Sequence, residues 1–294
     1  MAKRKTQKKH YPVQRMIREK VMTTTSGGLM VDIPKALSAC NHRLYRQSRV
    51  YNAKISLTDT ASASAYEIYR LRDTWSLQKA YAMAKAHYDE NVAKARKEGN
   101  EARWNDFRIN PKANGFDLVT TTMLLSNHGA SGTQETQATI DEYVYSVARK
   151  PDGSAVDFGF VADSNTFSII DEYDDTKNTD GNPDNPASSV AYAALKSDSV
   201  DASMDDLQNR GNLPPYDRTN LFTNDTNGNP CLLEKVDTLF VDSERHKLST
   251  GFVDWPLGAI FIRPIGISSL NKQFDLTVQS GDYKGVKAQQ YIDV

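Results

Sequence analysis

The chain has 294 residues, 39% of them hydrophobic and 25% charged, enough to bury a core in one large β domain or two modest ones. No apolar run approaches the roughly 18 residues that cross a bilayer, and no apolar stretch follows the basic N-terminus, so neither a membrane helix nor a secretory signal is expected. The net charge of −1 hides an asymmetry: residues 1–20 hold eight cations against one acid, a net +7, and the rest holds 28 bases against 36 acids, a net −8.

In chain order, residues 1–28 read as a basic arm. The first ten are almost all Lys, Arg, Gln, Thr and His, Pro12 interrupts, and Thr23–Gly28 forms a joint. Nothing there offers an apolar face to bury, although a short helix around Val13–Met22 is conceivable on a partner. Tyr51, Ala53, Ile55 and Leu57 alternate with polar residues inside a strand expected over 45–57, and residues 65–71 alternate likewise.

One long helix follows, about Asp73 to Lys97, with a single stripe of Leu77, Tyr81, Ala84, Tyr88, Val92 and Ala95. Asp73 fits its N-cap and Gly99 its C′ residue, and Trp104 and Phe107 are expected to anchor the return to the body.

After it come mainly strands, at 116–125, 139–149, 155–161, 166–173, 190–196, 231–241, 249–263 and 272–287, with a short helix at 200–209. Turn signals such as Pro151-Asp152-Gly153, Asn227-Gly228-Asn229-Pro230 and Ser280-Gly281-Asp282 separate them. Residues 174–189 read as an exposed acidic loop. About ten strands with one substantial helix point to a mainly β fold, an antiparallel sandwich or jelly roll carrying a helical insertion at about 73–98.

The strongest chemical signal is the arm. Lys3, Arg4, Lys5, Lys8, Lys9, Arg15, Arg18 and Lys20 can neutralise phosphates without reading bases, with a log–log salt slope of roughly −5 to −6 if all eight engage a single strand. The alternatives are a nuclear localisation signal or a solvated tail. Arg43, Arg46 and Arg49 form a second basic group that could extend this footprint onto an inner surface, or make ion pairs at the rim; in a strand Arg43 and Arg49 would face one way and Arg46 the other.

Other signals are weaker. Asp152 to Asp206 holds thirteen acids and two cations, and Asp171, Glu172, Asp174 and Asp175 could hold calcium, but an acidic outer surface is the simpler reading. The string from Thr223 to Glu234 imitates an EF-hand loop, yet it starts on Thr, contains Pro230 and runs into a strand, so it reads as a turn. The histidines, His10, His42, His87, His128 and His246, have no metal spacing, and Cys40 and Cys231 match no zinc or redox pattern. No nucleophile elbow, P-loop or dinucleotide fingerprint is present, and the Ser126–Gly132 stretch with His128 reads as a loop. No metal, cofactor or catalytic residue is expected.

Several segments carry a resemblance: LRDTWSLQKAYAMAK (Leu71–Lys85), RWNDFR (Arg103–Arg108), LPPYD (Leu213–Asp217), TGFVDWPLGAIFI (Thr250–Ile262) and GDYKGVKA (Gly281–Ala288). With the layout of basic arm, Gly-containing joint and strand-rich body, the chain resembles jelly-roll capsid proteins of small icosahedral viruses, most closely those of single-stranded DNA viruses. The resemblance implies a shell domain over 29–294, arms directed inward onto a viral genome, loops such as 174–189 and 210–230 facing outward or meeting neighbours, many identical copies as partners, a virion location and no catalysis. Two other classes compete. A non-capsid nucleic-acid binder with a basic tail would bind without closed shells, and the acidic body argues against it. A carboxylate-based β-sandwich hydrolase would need two acids converging in a cleft.

Overall fold

The computed structural model describes residues 12–20, 28–57, 64–99, 102–111, 116–117, 122–125, 136–138, 143–149, 155–160, 166–175, 232–241, 246–265 and 273–292. The first half contains β1 (Met16–Lys20), β2 (Gly28–Asp32), α1 (Ile33–Asn41), β3 (Arg49–Leu57), β4 (Ser64–Leu71), α2 (Trp75–Lys97), β5 (Phe116–Asp117), β6 (Thr122–Leu125), β7 (Thr136–Ala138) and β8 (Val147–Arg149). The second contains β9 (Ala155–Gly159), β10 (Thr166–Ser168), α3 (Ile169–Asp175), β11 (Leu233–Val241), β12 (His246–Lys247), β13 (Val253–Trp255), β14 (Ala259–Ile265), β15 (Gln273–Val278), β16 (Ser280–Gly281), β17 (Gly285–Val286) and β18 (Ala288–Gln290).

Two large sheets dominate. One runs β13-β3-β15-β1-β6-β7, with β18 also on β3; the other runs β12-β11-β4-β14-β2-β5. The first four strands take the late strands in reverse order: β1 pairs β15, β2 pairs β14, β3 pairs β13 and β4 pairs β11, all antiparallel. Consecutive strands from β1 to β4 alternate between the two sheets. The fold is therefore mainly β, built of antiparallel sheets, with more than half of the chain inserted between β4 and β11.

Alternation along the strands explains the layering. Ile260 and Ile262 of β14 join Ile17, Tyr51, Ile55, Tyr66, Ile68, Trp255, Phe274 and Leu276 in one core containing side chains of both sheets. Ala259 and Phe261 of the same strand join a second core with Leu77 and Tyr81 of α2, Phe107, Ile109, and Ile169 and Ile170 of α3. The second sheet is thus covered on both faces, which is why β14 reads as a continuous apolar run. Between the cores Pro256–Gly258 makes the crossing, with Leu257 at φ 54° and Gly258 at φ 71°. A Cβ at Gly258 would lie 2.3 Å from Pro34 Cδ, so only glycine fits.

The long helix forms as expected, but Thr74 rather than Asp73 caps it, its side chain accepting from the Leu77 amide. Gly99 sits at φ 85°, the left-handed geometry of a C′ residue. Lys94, Arg96 and Lys97 in the last turn complement the helix dipole. Of the two residues expected to anchor the return, Phe107 is buried and Trp104 is 54% exposed.

Several expectations are corrected. Residues 16–20 form a strand rather than a helix or free arm, paired on both sides by β15 and β6, and Ile17 is fully buried. Backbone pairing on both edges satisfies the amides and carbonyls of this charged pentapeptide, so it does not need an apolar run. The strand expected from 45 begins at Arg49, the segment 116–125 divides between the two sheets as β5 and β6, and 166–173 turns from β10 into α3. The strand expected over 249–263 is broken at Pro256–Gly258, and α1 was not anticipated. Residues 176–231, which include the expected strand 190–196, the helix 200–209 and most of the loop 174–189, lie outside the described residues.

Candidate nucleic-acid interface

Two segments far apart in sequence build one basic surface. The first follows α1. His42 takes φ 49° and ends the helix, its amide donating to the Ser38 carbonyl. Ser38 Oγ then accepts from the Tyr45 amide at 2.8 Å, which directs the next turn. Tyr45 and Gln47 point inward while Arg43 and Arg46 stay exposed. The reason is local: Gln47 exchanges two hydrogen bonds with Ile109, its Nε2 donating to the carbonyl at 2.8 Å and its Oε1 accepting from the amide at 2.6 Å.

The second segment is the β16–β17 hairpin. A Cβ at Gly281 would lie 2.5 Å from Lys287 Cα, so the close return needs glycine there. Lys284 sits at φ 49° in the turn. The hairpin docks on the first segment through three bonds, and a fourth, from Tyr51 of β3, steadies the Arg46 carbonyl. Tyr283 Oη accepts from the Arg46 amide at 3.1 Å, Tyr45 Oη donates to the Lys284 carbonyl at 3.0 Å, Tyr51 Oη donates to the Arg46 carbonyl at 2.6 Å, and Lys284 Nζ donates to the Leu44 carbonyl.

Cations and rings interleave at this junction. The Arg49 guanidinium lies 3.6 Å from the Tyr283 ring centroid, and Lys284 Nζ lies 5.5 Å from Tyr283 and 5.9 Å from Tyr45. Burial and then the charges of Arg46, Arg49 and Arg43 lower the Lys284 pKa, with Asp106 opposing them. Like charges therefore crowd here, and an anion would relieve them. Burial holds the Tyr51 hydroxyl well above its ordinary pKa, so it remains a donor to Arg46.

The segment leading into β1 runs beside this junction. The Gln14 amide donates to Asn41 Oδ1 at 2.8 Å, and Asn41 Nδ2 donates back to the Gln14 carbonyl at 3.0 Å. Asn41 directly precedes His42 and Arg43. The Arg15 carbonyl accepts from Val278 at 2.9 Å, fixing the chain against the end of β15.

Behind the surface lies a buried polar layer. Asp106 Oδ2 accepts from the Gln47 amide at 3.2 Å, and burial raises this carboxyl to about 6. Arg108, 4.0 Å from Asp106, donates to the carbonyls of Val144 and Trp104. Asp32 is also raised to about 6 by burial; it caps α1 at the Lys35 amide and accepts from Tyr145 Oη. Each of these acids is engaged by a backbone amide.

Of the sequence-predicted residues, Lys3, Arg4, Lys5, Lys8 and Lys9 lie outside the described residues. Arg15 is half-buried ahead of β1, and Arg18 and Lys20 occupy β1 opposite Asp275 and Gln273. Arg43, Arg46 and Arg49 all act on Lys284, but Arg43 and Arg46 lie in a loop rather than in the expected strand, so they do not alternate between its faces. Among the described residues no three His, Cys, Asp or Glu side chains converge on a metal site. Asp171 and Glu172 fall in the first turn of α3, and Glu234 pairs with Arg70 on the neighbouring strand. Thr223–Pro230, His10, His128, Cys231 and the Ser126–Gly132 stretch lie outside the described residues.

Lys284 and its tyrosine neighbours were not singled out as site residues from sequence. The only local signal was the Gly-Asp-Tyr-Lys-Gly run, a turn whose partner stands 237 to 240 positions away. No protein-family model matches the chain, and no curated protein or solved structure matches it, so the functional reading rests on these residues themselves.

Proposed function

We propose that this chain is a viral capsid protein: a jelly-roll subunit that assembles with copies of itself into an icosahedral shell and holds the genome, a single-stranded nucleic acid, through its N-terminal cations. The observation that carries the reading is the reversed pairing of the first four strands with β15, β14, β13 and β11. A long hairpin folded over and wrapped into two facing sheets produces that nesting, which is the connectivity expected of a jelly roll. The order β13-β3-β15-β1 faces β11-β4-β14-β2, and the further strands and α2 are additions to this frame.

Fold alone does not assign function, so the charge distribution carries the second half. Five cations, Lys3, Arg4, Lys5, Lys8 and Lys9, precede Pro12, and Gln14, ahead of β1, is bonded to Asn41, two positions before Arg43. An acidic remainder disfavours wrapping of nucleic acid around the whole body and favours contact at one end. Exposed apolar side chains such as Trp104 and Val144, whose carbonyls both accept from Arg108, support a reading in which copies associate.

The test is negative-stain electron microscopy of the purified full chain after nuclease treatment. Closed, uniform particles that retain protected nucleic acid are expected. Full-chain protein with Lys3, Arg4, Lys5, Lys8 and Lys9 changed to Gln is expected to form particles with less nucleic acid. Monomers across salt and pH would overturn the proposal.

A further inference from the structure

We infer that Arg43, Arg46, Arg49 and Lys284 form a second phosphate-binding site on the folded body, which holds the backbone of a single-stranded nucleic acid together with the N-terminal cations. It deepens the proposed function, yet it can fail separately.

Three observations carry it. The four cations come from two segments locked together by Tyr45, Tyr283 and Lys284, so their backbone positions are fixed by the fold. Arg43 and Arg46 are exposed, and the Arg46 bonds that build the junction are made by its backbone, which leaves its guanidinium able to meet a ligand. The Gln14–Asn41 clasp brings Gln14 to the residue before His42, so the described start of the chain lies next to the segment that carries Arg43. Tyr45 and Tyr51 are fully buried and Tyr283 is covered by Arg49, so the surface suits phosphates rather than stacked bases. Asp282 is exposed in the same turn, and the buried Asp106 acts on Lys284 against the cations.

The test is titration of the full chain with a fluorescent single-stranded oligodeoxynucleotide at several salt concentrations. The double variant Arg43→Gln/Arg46→Gln, which alters no side-chain hydrogen bond described above, is expected to weaken binding at low salt. The log–log salt slope should fall in magnitude by about 1.4. Adding Lys284→Gln is expected to bring the reduction to about 2. With the five N-terminal cations changed to Gln, adding the body substitutions should lower the remaining salt slope by the same amount, leaving the share of Arg49 and of the cations at 15–20. An unchanged slope in the double variant, in a chain with wild-type thermal stability, would overturn the inference. Absence of particles would remove the shell reading and leave this titration standing.

Discussion

The two cores of this molecule are built differently. The core that joins the two large sheets is almost wholly apolar: Ile17, Ile55, Ile68, Ile260, Ile262, Phe274 and Leu276 meet there, and the indole of Trp255 satisfies its N–H on the Ala53 carbonyl at 2.9 Å. The core under α2 borders a polar layer of Gln47, Asp106 and Arg108, whose bonds run to backbone groups of an irregular segment. Paired strands satisfy their own backbone, so the first core needs only apolar side chains. Residues 102–111 have little regular pairing, so buried side chains must supply it. The comparison predicts that the first core sets stability and the second sets how the insertion responds to pH.

The largest effect should come from Phe274→Ala, which empties a site where Phe274 meets Tyr66 edge-on at 5.2 Å between facing sheets. A loss of about 3–5 kcal/mol is expected in denaturant unfolding. A loss below 1 kcal/mol would mean that the two sheets do not share one packed core.

Next is the pH response. Asp106 and Asp32 have folded pKa values raised from 3.8 to about 6 by burial. Each binds its proton more tightly folded than unfolded. The stabilisation from protonation is complete below about 3.8 and is lost as pH rises through about 6, by up to roughly 3 kcal/mol per group. Asp106→Asn should therefore flatten its share of the stability curve between pH 4 and 7. Parallel curves for the two proteins would contradict the assignment.

Gln47→Ala strands the Ile109 amide and carbonyl and is expected to cost about 2–3 kcal/mol. Hydrogen exchange should rise most across 105–110, while β1 and β15 stay protected. Lys94→Ala breaks an exposed pair with Glu90 on α2 and should leave the unfolding midpoint unchanged within the scatter of repeat denaturation curves.

What could be read from sequence follows from the same contrast. The helix stripe from Leu77 and the strand at 231–241 were visible because their periodicity is local. β1 was hidden because three of its five residues are charged, which masks the buried Ile17. The crossing at Leu257–Gly258 was hidden inside an apolar run, where a left-handed pair leaves no compositional mark. α1 is only nine residues long and is held by Asp32 and by a His42 conformation that sequence does not announce. Arg43, Arg46 and Arg49 were legible as a charge cluster. Lys284 was not, because only the docking of two distant turns brings it beside them.

Sedimentation velocity on the nuclease-treated full chain tests the central claim most directly. The account predicts a fast, discrete boundary whose ultraviolet spectrum shows protected nucleic acid together with protein. A single slow boundary of monomeric size at every salt concentration would contradict it.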